Sequence, residues 1–124
     1  MRYAKMPIGK EPPYNQKGMR IRPAGERITC KDGFTISVQA SRINYSEPRN
    51  DTGPYTCCEV GMPSHYDIFL QEYAEDPSNP TGTVYGYVPS DTIMMCIESH
   101  GGMVSGDLPP LEHTTAYMQA RHED

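Results

Sequence analysis

The chain has 124 residues, the size of a single domain, and can bury a core without the help of a metal or disulfide. Gly and Pro together number 23 and apolar residues make up 36 %, which favours a turn-rich α+β domain over a helical bundle. The sequence has no run of about 18 apolar residues and no apolar signal region near its start, so we expect neither a membrane span nor secretion.

The net charge of −5 is unevenly distributed along the chain. Residues 1–49 carry 10 Lys and Arg against 4 Asp and Glu, whereas residues 50–124 carry 1 against 12. This asymmetry favours association of copies into a homo-oligomer, or an anionic ligand at the first half. Alternatively, the two halves interleave in the fold and their fields cancel. The overall acidity disfavours nucleic-acid binding.

The first predicted elements form a hairpin. Residues 1–25 are rich in Pro and Gly and read as an extended arm, with at most a short strand at Met19–Arg22. Strands at Arg27–Cys30 and Phe34–Ala40 then flank a turn in which Gly33 can take a positive φ. The second strand alternates apolar and polar residues, which predicts a sheet with one buried face.

The later elements complete an α+β fold. We expect a strand at Tyr55–Met62, a short strand or helical turn at Ile68–Tyr73, and a strand at Thr83–Val88. A helix is predicted from Ser90 as N-cap to His100, with Gly101 as its stop. The expected architecture is an antiparallel sheet of four or five strands with one main helix packed on it. This core spans residues 26–102, between the arm at 1–25 and a tail at 103–124 that is helical, at most, around His113–His122.

Cysteine and histidine spacings do not predict a metal site, a cofactor or a catalytic centre. The sequence contains no C-x-x-C and no H-x-x-x-H, and the expected state of the four cysteines is reduced and buried. Cys96 and His100 lie four apart on the predicted helix and can meet, but Cys96 adjoins the apolar stripe, which favours an inert thiol. We therefore expect no catalytic residue, no metal and no cofactor, hence a protein that is not an enzyme.

The stretch from Ser41 to Thr56, SRINYSEPRNDTGPYT, concentrates recognition chemistry between two predicted strands. Guanidinium groups suit phosphate or carboxylate, phenol rings can stack or hydrogen-bond, and turn residues can position an anion. The candidate ligand-binding residues are Arg42, Tyr45, Arg49, Asn50, Thr52 and Tyr55. Alternatively, the arginines pair with acidic residues of the second half and the prolines stiffen a strand connection.

Three segments resemble a group of small proteins encoded by bacteriophages and prophages. They are DGFTISVQASRINYSEPR, GPYTCCEVGMPS and TVYGYVPSDTIMMCIESHGG, and the resemblance covers about residues 28–102. The pair Cys57-Cys58 departs from the pattern, where an aliphatic residue is expected. The resemblance implies a phage origin and action in the host bacterial cytoplasm, but it carries no assigned activity.

Small phage proteins without enzymatic motifs often counter host immunity, which suggests the leading functional hypothesis. In it, the chain sequesters a small anionic ligand of nucleotide type, such as a cyclic nucleotide immune signal, without catalysis. A second hypothesis is an acidic inhibitor that blocks a host nucleic-acid-binding or CRISPR-type protein by direct contact. A third is a structural or assembly role in the virion.

Overall fold

The computed structural model describes residues 23–112, which form one antiparallel five-stranded sheet and one α-helix. The strands lie side by side in the order β4-β3-β2-β1-β5. The α+β class and the antiparallel sheet predicted from the sequence are confirmed. The elements in chain order are β1 (Ile28–Cys30), β2 (Thr35–Gln39), β3 (Cys57–Gly61), a 3₁₀ turn (Gln71–Tyr73), β4 (Val84–Pro89), α1 (Ser90–Ser99) and β5 (Met103–Ser105).

Period-two alternation explains the buried face of the central strands. In β2 the side chains of Ile36 and Val38 are buried, whereas those of Thr35, Ser37 and Gln39 are half-buried on the opposite face. The turn before β2 contains Gly33 at φ 95°, as predicted, and the Phe34 N–H donates to the Asp32 side chain. The core is completed by residues from β1, β3, β4 and α1, among them Ile28, Cys58, Val60, Tyr85, Val88, Ile93, Cys96 and Ile97.

Helix α1 ends where two glycines take positive φ. Gly101 and Gly102 have φ of 91° and 94°, and their N–H groups donate to the carbonyls of Glu98 and Ile97, which closes a Schellman motif. The start differs from the prediction, because Pro89 occupies the N-cap and Ser90 is the first helical residue. The Ser90 hydroxyl donates instead to the carbonyl of Glu112, so it ties the helix to the returning chain.

Strand β5 extends the sheet beyond residue 102, where a loop is expected from the sequence. It pairs antiparallel with β1, and the chain then returns so that the Tyr55 N–H donates to the Pro110 carbonyl. Strands β1 and β2 therefore lie between β3 and β5, which come from the acidic part of the chain. In the described strands the two halves of the sequence interleave.

Three expectations lie wholly or largely outside the described residues: the arm over most of 1–25, the short strand at Met19–Arg22 and the helix around His113–His122. Among residues 23–112, no helix is both long and apolar enough to cross a membrane.

Candidate functional site

The loop at residues 41–56 contacts edge strand β4 at a β-bulge. Cys58 pairs with Val88 and Val60 pairs with Tyr85, so Gly86 and Tyr87 together oppose the single residue between Cys58 and Val60. Tyr85 and Val88 are three residues apart, yet both are fully buried. The extra residue turns Tyr87 outward, with φ at 53°, a left-handed conformation that is costly for an aromatic residue.

The loop docks on this bulge through backbone hydrogen bonds at Tyr45. The Tyr87 N–H donates to the Tyr45 carbonyl over 3.1 Å, and the Tyr45 N–H donates to Glu59 Oε1 over 3.0 Å. A Cβ built on Gly86 would lie 3.5 Å from Tyr45 Cβ, so the side chain of Tyr45 lies directly over that glycine. The bulge thus supplies both a donor for the loop and room for its tyrosine.

Tyr45, Arg49 and Tyr87 form what we call the tyrosine–arginine surface. The two rings are 41 % and 42 % exposed, and their centroids are 5.8 Å apart with planes inclined by 32°. The Arg49 guanidinium carbon lies 5.9 Å from the Tyr45 ring centroid, within the range of a cation–π contact. Arg49 Nε donates to the Asn44 carbonyl over 3.2 Å, which holds the guanidinium beside the rings.

The two arginines of the loop differ in their partners. Arg42 is half-buried, its N–H donates to Asp51 Oδ1, and its Nε lies 3.5 Å from Asp51 Oδ2. Arg49 is exposed and forms no ion pair with any carboxylate among residues 23–112. The charge of Arg42 is thus used inside the loop, whereas that of Arg49 faces solvent.

The other candidate residues shape the loop from within. Asn50 Oδ1 accepts hydrogen bonds from the backbone N–H groups of Thr52 and Gly53 and from the Thr52 hydroxyl. Tyr55 is fully buried, and its hydroxyl donates to the Asn50 carbonyl over 2.8 Å. The structure therefore brings Tyr45 and Arg49 to one surface. The remaining candidates make contacts within the loop or the core: Arg42, Asn50, Thr52 and Tyr55.

Sequence reasoning missed Tyr87, which belongs to this surface, and the neighbouring carboxylate Glu59. The only available signal was Gly86 inside a strand pattern, because an internal glycine often marks a bulge. Glu59 holds the Tyr45 backbone and places a negative charge near the rings.

A second group of polar side chains lies at the end of α1; we call it the His100 cluster and define it as Asp32, Asp67, Cys96 and His100. His100 Nδ1 lies 2.7 Å from Asp32 Oδ2, and His100 Nε2 lies 2.8 Å from Asp67 Oδ2. The imidazole also stacks on Phe34, with centroids 3.8 Å apart and an interplanar angle of 4°. The imidazole of His100 thus bridges two carboxylates that come from separate loops.

The electrostatics of this cluster follow from burial and from the two carboxylates. Partial burial opposes the charge on His100, but hydrogen bonds and attraction to Asp32 and Asp67 raise its pKa overall. The pKa of Asp32 is lowered, mainly by the hydrogen bond from the Phe34 N–H and next by the hydrogen bond with His100. Burial, reinforced by the charge of Asp67, raises the pKa of the Cys96 thiol, so Cys96 is protonated and a poor nucleophile.

Asp67, Cys96 and His100 are also the residues whose ligand atoms converge enough to hold a metal ion within the described range. One ligand atom from each lies within 4.8 Å of the other two. Comparison of the chain with protein-family models, curated proteins and solved structures gives no match.

Proposed function

We propose that the chain is a non-catalytic binding protein for a small anionic ligand with a planar ring, of nucleotide type. The observation that carries this proposal is the tyrosine–arginine surface, where two exposed rings adjoin an arginine that has no ion-pair partner in the described part of the chain. Aromatic rings stack on nucleobases, and a guanidinium binds phosphate through paired donors. One surface thus offers both contacts that a nucleotide needs.

The chemistry of the surface favours capture over turnover. The contacts that the two phenol rings and the guanidinium offer, stacking and paired hydrogen bonds, bind a ligand without a covalent step. Together with the resemblance to phage-encoded proteins, this supports sequestration of a nucleotide immune signal in the host bacterial cytoplasm. A sequestering protein acts by stoichiometry, so it needs tight binding and no reaction.

The first experiment measures binding and the fate of the ligand together. Isothermal titration calorimetry with mononucleotides and cyclic dinucleotides should find at least one ligand bound at a fixed stoichiometry. After denaturation, chromatography should return that nucleotide intact. A cleaved product would make the protein an enzyme, and the absence of any binding would remove the proposal.

Matched variants assign the binding to this surface. Arg49→Ala should weaken nucleotide binding at least tenfold, because it removes the phosphate contact and the cation beside Tyr45. Lys31→Ala removes the same charge from the exposed hairpin turn and should leave affinity nearly unchanged. Glu59→Gln should strengthen binding, since it removes the nearby negative charge and keeps an acceptor for the Tyr45 N–H. Equal loss in the Arg49 and Lys31 variants would indicate a general charge effect.

The charge of the described residues favours a second candidate function. Residues 23–112 carry 13 Asp and Glu against 4 Lys and Arg. Such an excess suits direct obstruction of a basic host protein that binds nucleic acid. Arg49→Ala discriminates the two candidates, because an interface made by carboxylates should survive that change. The expected homo-oligomer stays a prediction, and native mass spectrometry measures subunit number and any retained ligand in one spectrum.

A further inference from the structure

Three separate parts of the fold meet at the His100 cluster. Cys96 and His100 lie one turn apart at the end of α1, Asp67 comes from the loop before the 3₁₀ turn, and Asp32 comes from the β1–β2 turn. Cys96 and Asp67 are buried, whereas the His100 side chain is 20 % exposed. A nitrogen, a sulfur and an oxygen donor therefore converge at a largely buried place at the end of α1.

We propose that Asp67, Cys96 and His100 bind a divalent transition-metal cation of the zinc type. Zinc accepts this combination of imidazole, thiolate and carboxylate ligands, whereas calcium and magnesium prefer oxygen ligands alone. The ligand atoms already lie within 4.8 Å of one another, so small side-chain movements bring them around one ion. No metal site was expected from the sequence, because only the spacings of Cys and His residues were considered. Asp67 is distant from Cys96 and His100 in the sequence and joins them only in the fold.

The surroundings of His100 match those of histidines that bind a metal ion. Metal-bound imidazoles usually donate their second ring N–H to a carboxylate, which fixes the ring orientation. Here His100 Nδ1 lies 2.7 Å from Asp32 Oδ2, while Asp32 Oδ1 accepts the Phe34 N–H over 2.9 Å. The Phe34 ring, stacked on the imidazole, restricts its rotation further. Asp32 is thus a positioning residue on the far side of the proposed ligand His100.

Binding requires one rearrangement and releases protons in a defined way. His100 Nε2 and Asp67 Oδ2, now 2.8 Å apart, separate slightly as the cation replaces the proton between them. Asp67 Oδ1 keeps its hydrogen bond from the Phe69 N–H, so the carboxylate remains oriented. The Cys96 thiol also loses its proton and becomes a thiolate. Each of the three ligands then presents an unprotonated donor atom to the cation.

Cobalt(II) is the probe for the first test, because thiolate coordination to cobalt gives a charge-transfer band in the near ultraviolet. The whole chain of 124 residues is treated with a chelator and titrated with cobalt alone. We expect a saturable band at one cobalt per chain, together with the strong visible bands of four-coordinate cobalt. Cys96→Ser should abolish the thiolate band. Cys57→Ser, which changes a half-buried thiol on β3, should retain it.

Positioning by Asp32 gives an independent readout. Asp32→Asn should keep the thiolate band but weaken cobalt binding about 10- to 100-fold, the usual effect of removing such a partner. A band that persists in Cys96→Ser, or an unchanged affinity in Asp32→Asn, would overturn the assignment. Circular dichroism shows whether each variant is folded before its spectrum is compared.

X-ray absorption of the zinc-loaded wild-type chain needs no variant and tests the ligand set directly. The proposal requires one sulfur at about 2.3 Å and the remaining ligands to be nitrogen or oxygen at about 2.0–2.2 Å. Two sulfurs would imply that another thiol, such as the buried Cys30, belongs to the site and would overturn the three-residue assignment. No sulfur, or no retained zinc, would leave the cluster as a network of ion pairs and overturn the proposal.

Discussion

Tyr87 shows how one residue can combine backbone strain with an exposed ring. Its φ of 53° is rare for an aromatic residue, and strain of this kind is concentrated at functional sites. The bulge in β4 fixes this conformation, and the Tyr45 carbonyl accepts the N–H that the bulge releases. The strain therefore places a ring where the proposed ligand stacks.

Replacing Tyr87 should separate stability from binding. In Tyr87→Gly, relief of about 1 kcal/mol of backbone strain offsets the lost contact with Tyr45, so the free energy of unfolding should stay within about 1 kcal/mol of wild type. Nucleotide affinity should fall at least tenfold in calorimetry. Tyr87→Phe retains the ring and should bind almost as well as wild type. Unchanged affinity in the glycine variant would show that the ring makes no contact with the ligand.

Tyr55 offers the opposite case, a candidate ligand residue that the fold buries. In Tyr55→Phe the ring remains in the core and the hydrogen bond from the hydroxyl to the Asn50 carbonyl is lost. We expect the free energy of unfolding to fall by about 1 kcal/mol, measured by denaturant titration, and ligand affinity to change less than twofold. A large loss of affinity with little loss of stability would show that the hydroxyl contacts the ligand.

At the scale of elements, strand β5 depends on a glycine that follows it. Gly106 has φ 104°, and a Cβ there would lie 2.5 Å from the Arg27 carbonyl oxygen and from Ile28 Cα. Both atoms belong to the backbone at the start of β1. A side chain at residue 106 is therefore incompatible with the way the chain leaves β5 beside β1.

Two alanine substitutions isolate this steric effect from the effect of positive φ. Gly106→Ala should lower the free energy of unfolding by more than about 2 kcal/mol, because strained backbone and a backbone clash act together. Gly33→Ala has a similar φ of 95°, but apart from the glycine itself and its two chain neighbours no atom lies within 4 Å of the added methyl group, so it should cost only about 1–2 kcal/mol. Amide hydrogen exchange should locate the extra loss in β1 and β5. Equal costs would mean that the clash is relieved without loss of pairing.

Local patterns predicted the elements well because they depend on neighbouring residues. Alternation in β2, the glycine in the β1–β2 turn and the double glycine after α1 are all properties of short segments. The β4 bulge was missed, since strict alternation would put Tyr85 and Tyr87 on one face, and only the pairing with β3 reveals the extra residue. β5 was missed because its three residues are all exposed, so the segment lacks the alternation of buried and exposed side chains that predicts a strand.

The sites were harder to predict because they join distant residues. Tyr45 and Arg49 were found together because both lie in one loop. Their partner Tyr87 lies in β4, about 40 residues later in the sequence. Likewise, Cys96 and His100 were recognised as neighbours on a helix, whereas Asp67 and Asp32 reach them only through tertiary packing. The sequence showed which side chains carry the relevant chemistry, but it did not show which of them lie close together in the fold.

Across the whole chain, basic residues outnumber acidic ones in residues 1–22, and acidic residues outnumber basic ones in residues 23–112. Residues 23–112 carry four Lys and Arg against thirteen Asp and Glu, whereas residues 1–22 carry six against one. An anionic ligand approaching Arg49 therefore meets a repulsive long-range field from the described part. The basic residues 1–22 reduce that repulsion, and such fields change association rates more than they change contacts in the complex.

Neutralising part of this basic segment should slow the arrival of the ligand. With Lys5, Lys10 and Lys17 all changed to Gln, we expect the association rate constant for the anionic ligand to fall at least about threefold at low salt. The dissociation rate constant should not change, because the proposed contacts at Arg49 are intact. Stopped-flow fluorescence with a labelled nucleotide measures both constants.

Salt provides the control for this last prediction. At about 1 M salt the Debye length is about 3 Å, so distant charges no longer act and the variant should bind as fast as wild type. Arg49→Ala should still bind weakly there, because its loss is one of direct contact. A dissociation rate that rises in the lysine variant and stays raised at high salt would mean that those lysines touch the ligand. The binding site would then include residues 1–22 as well as the tyrosine–arginine surface.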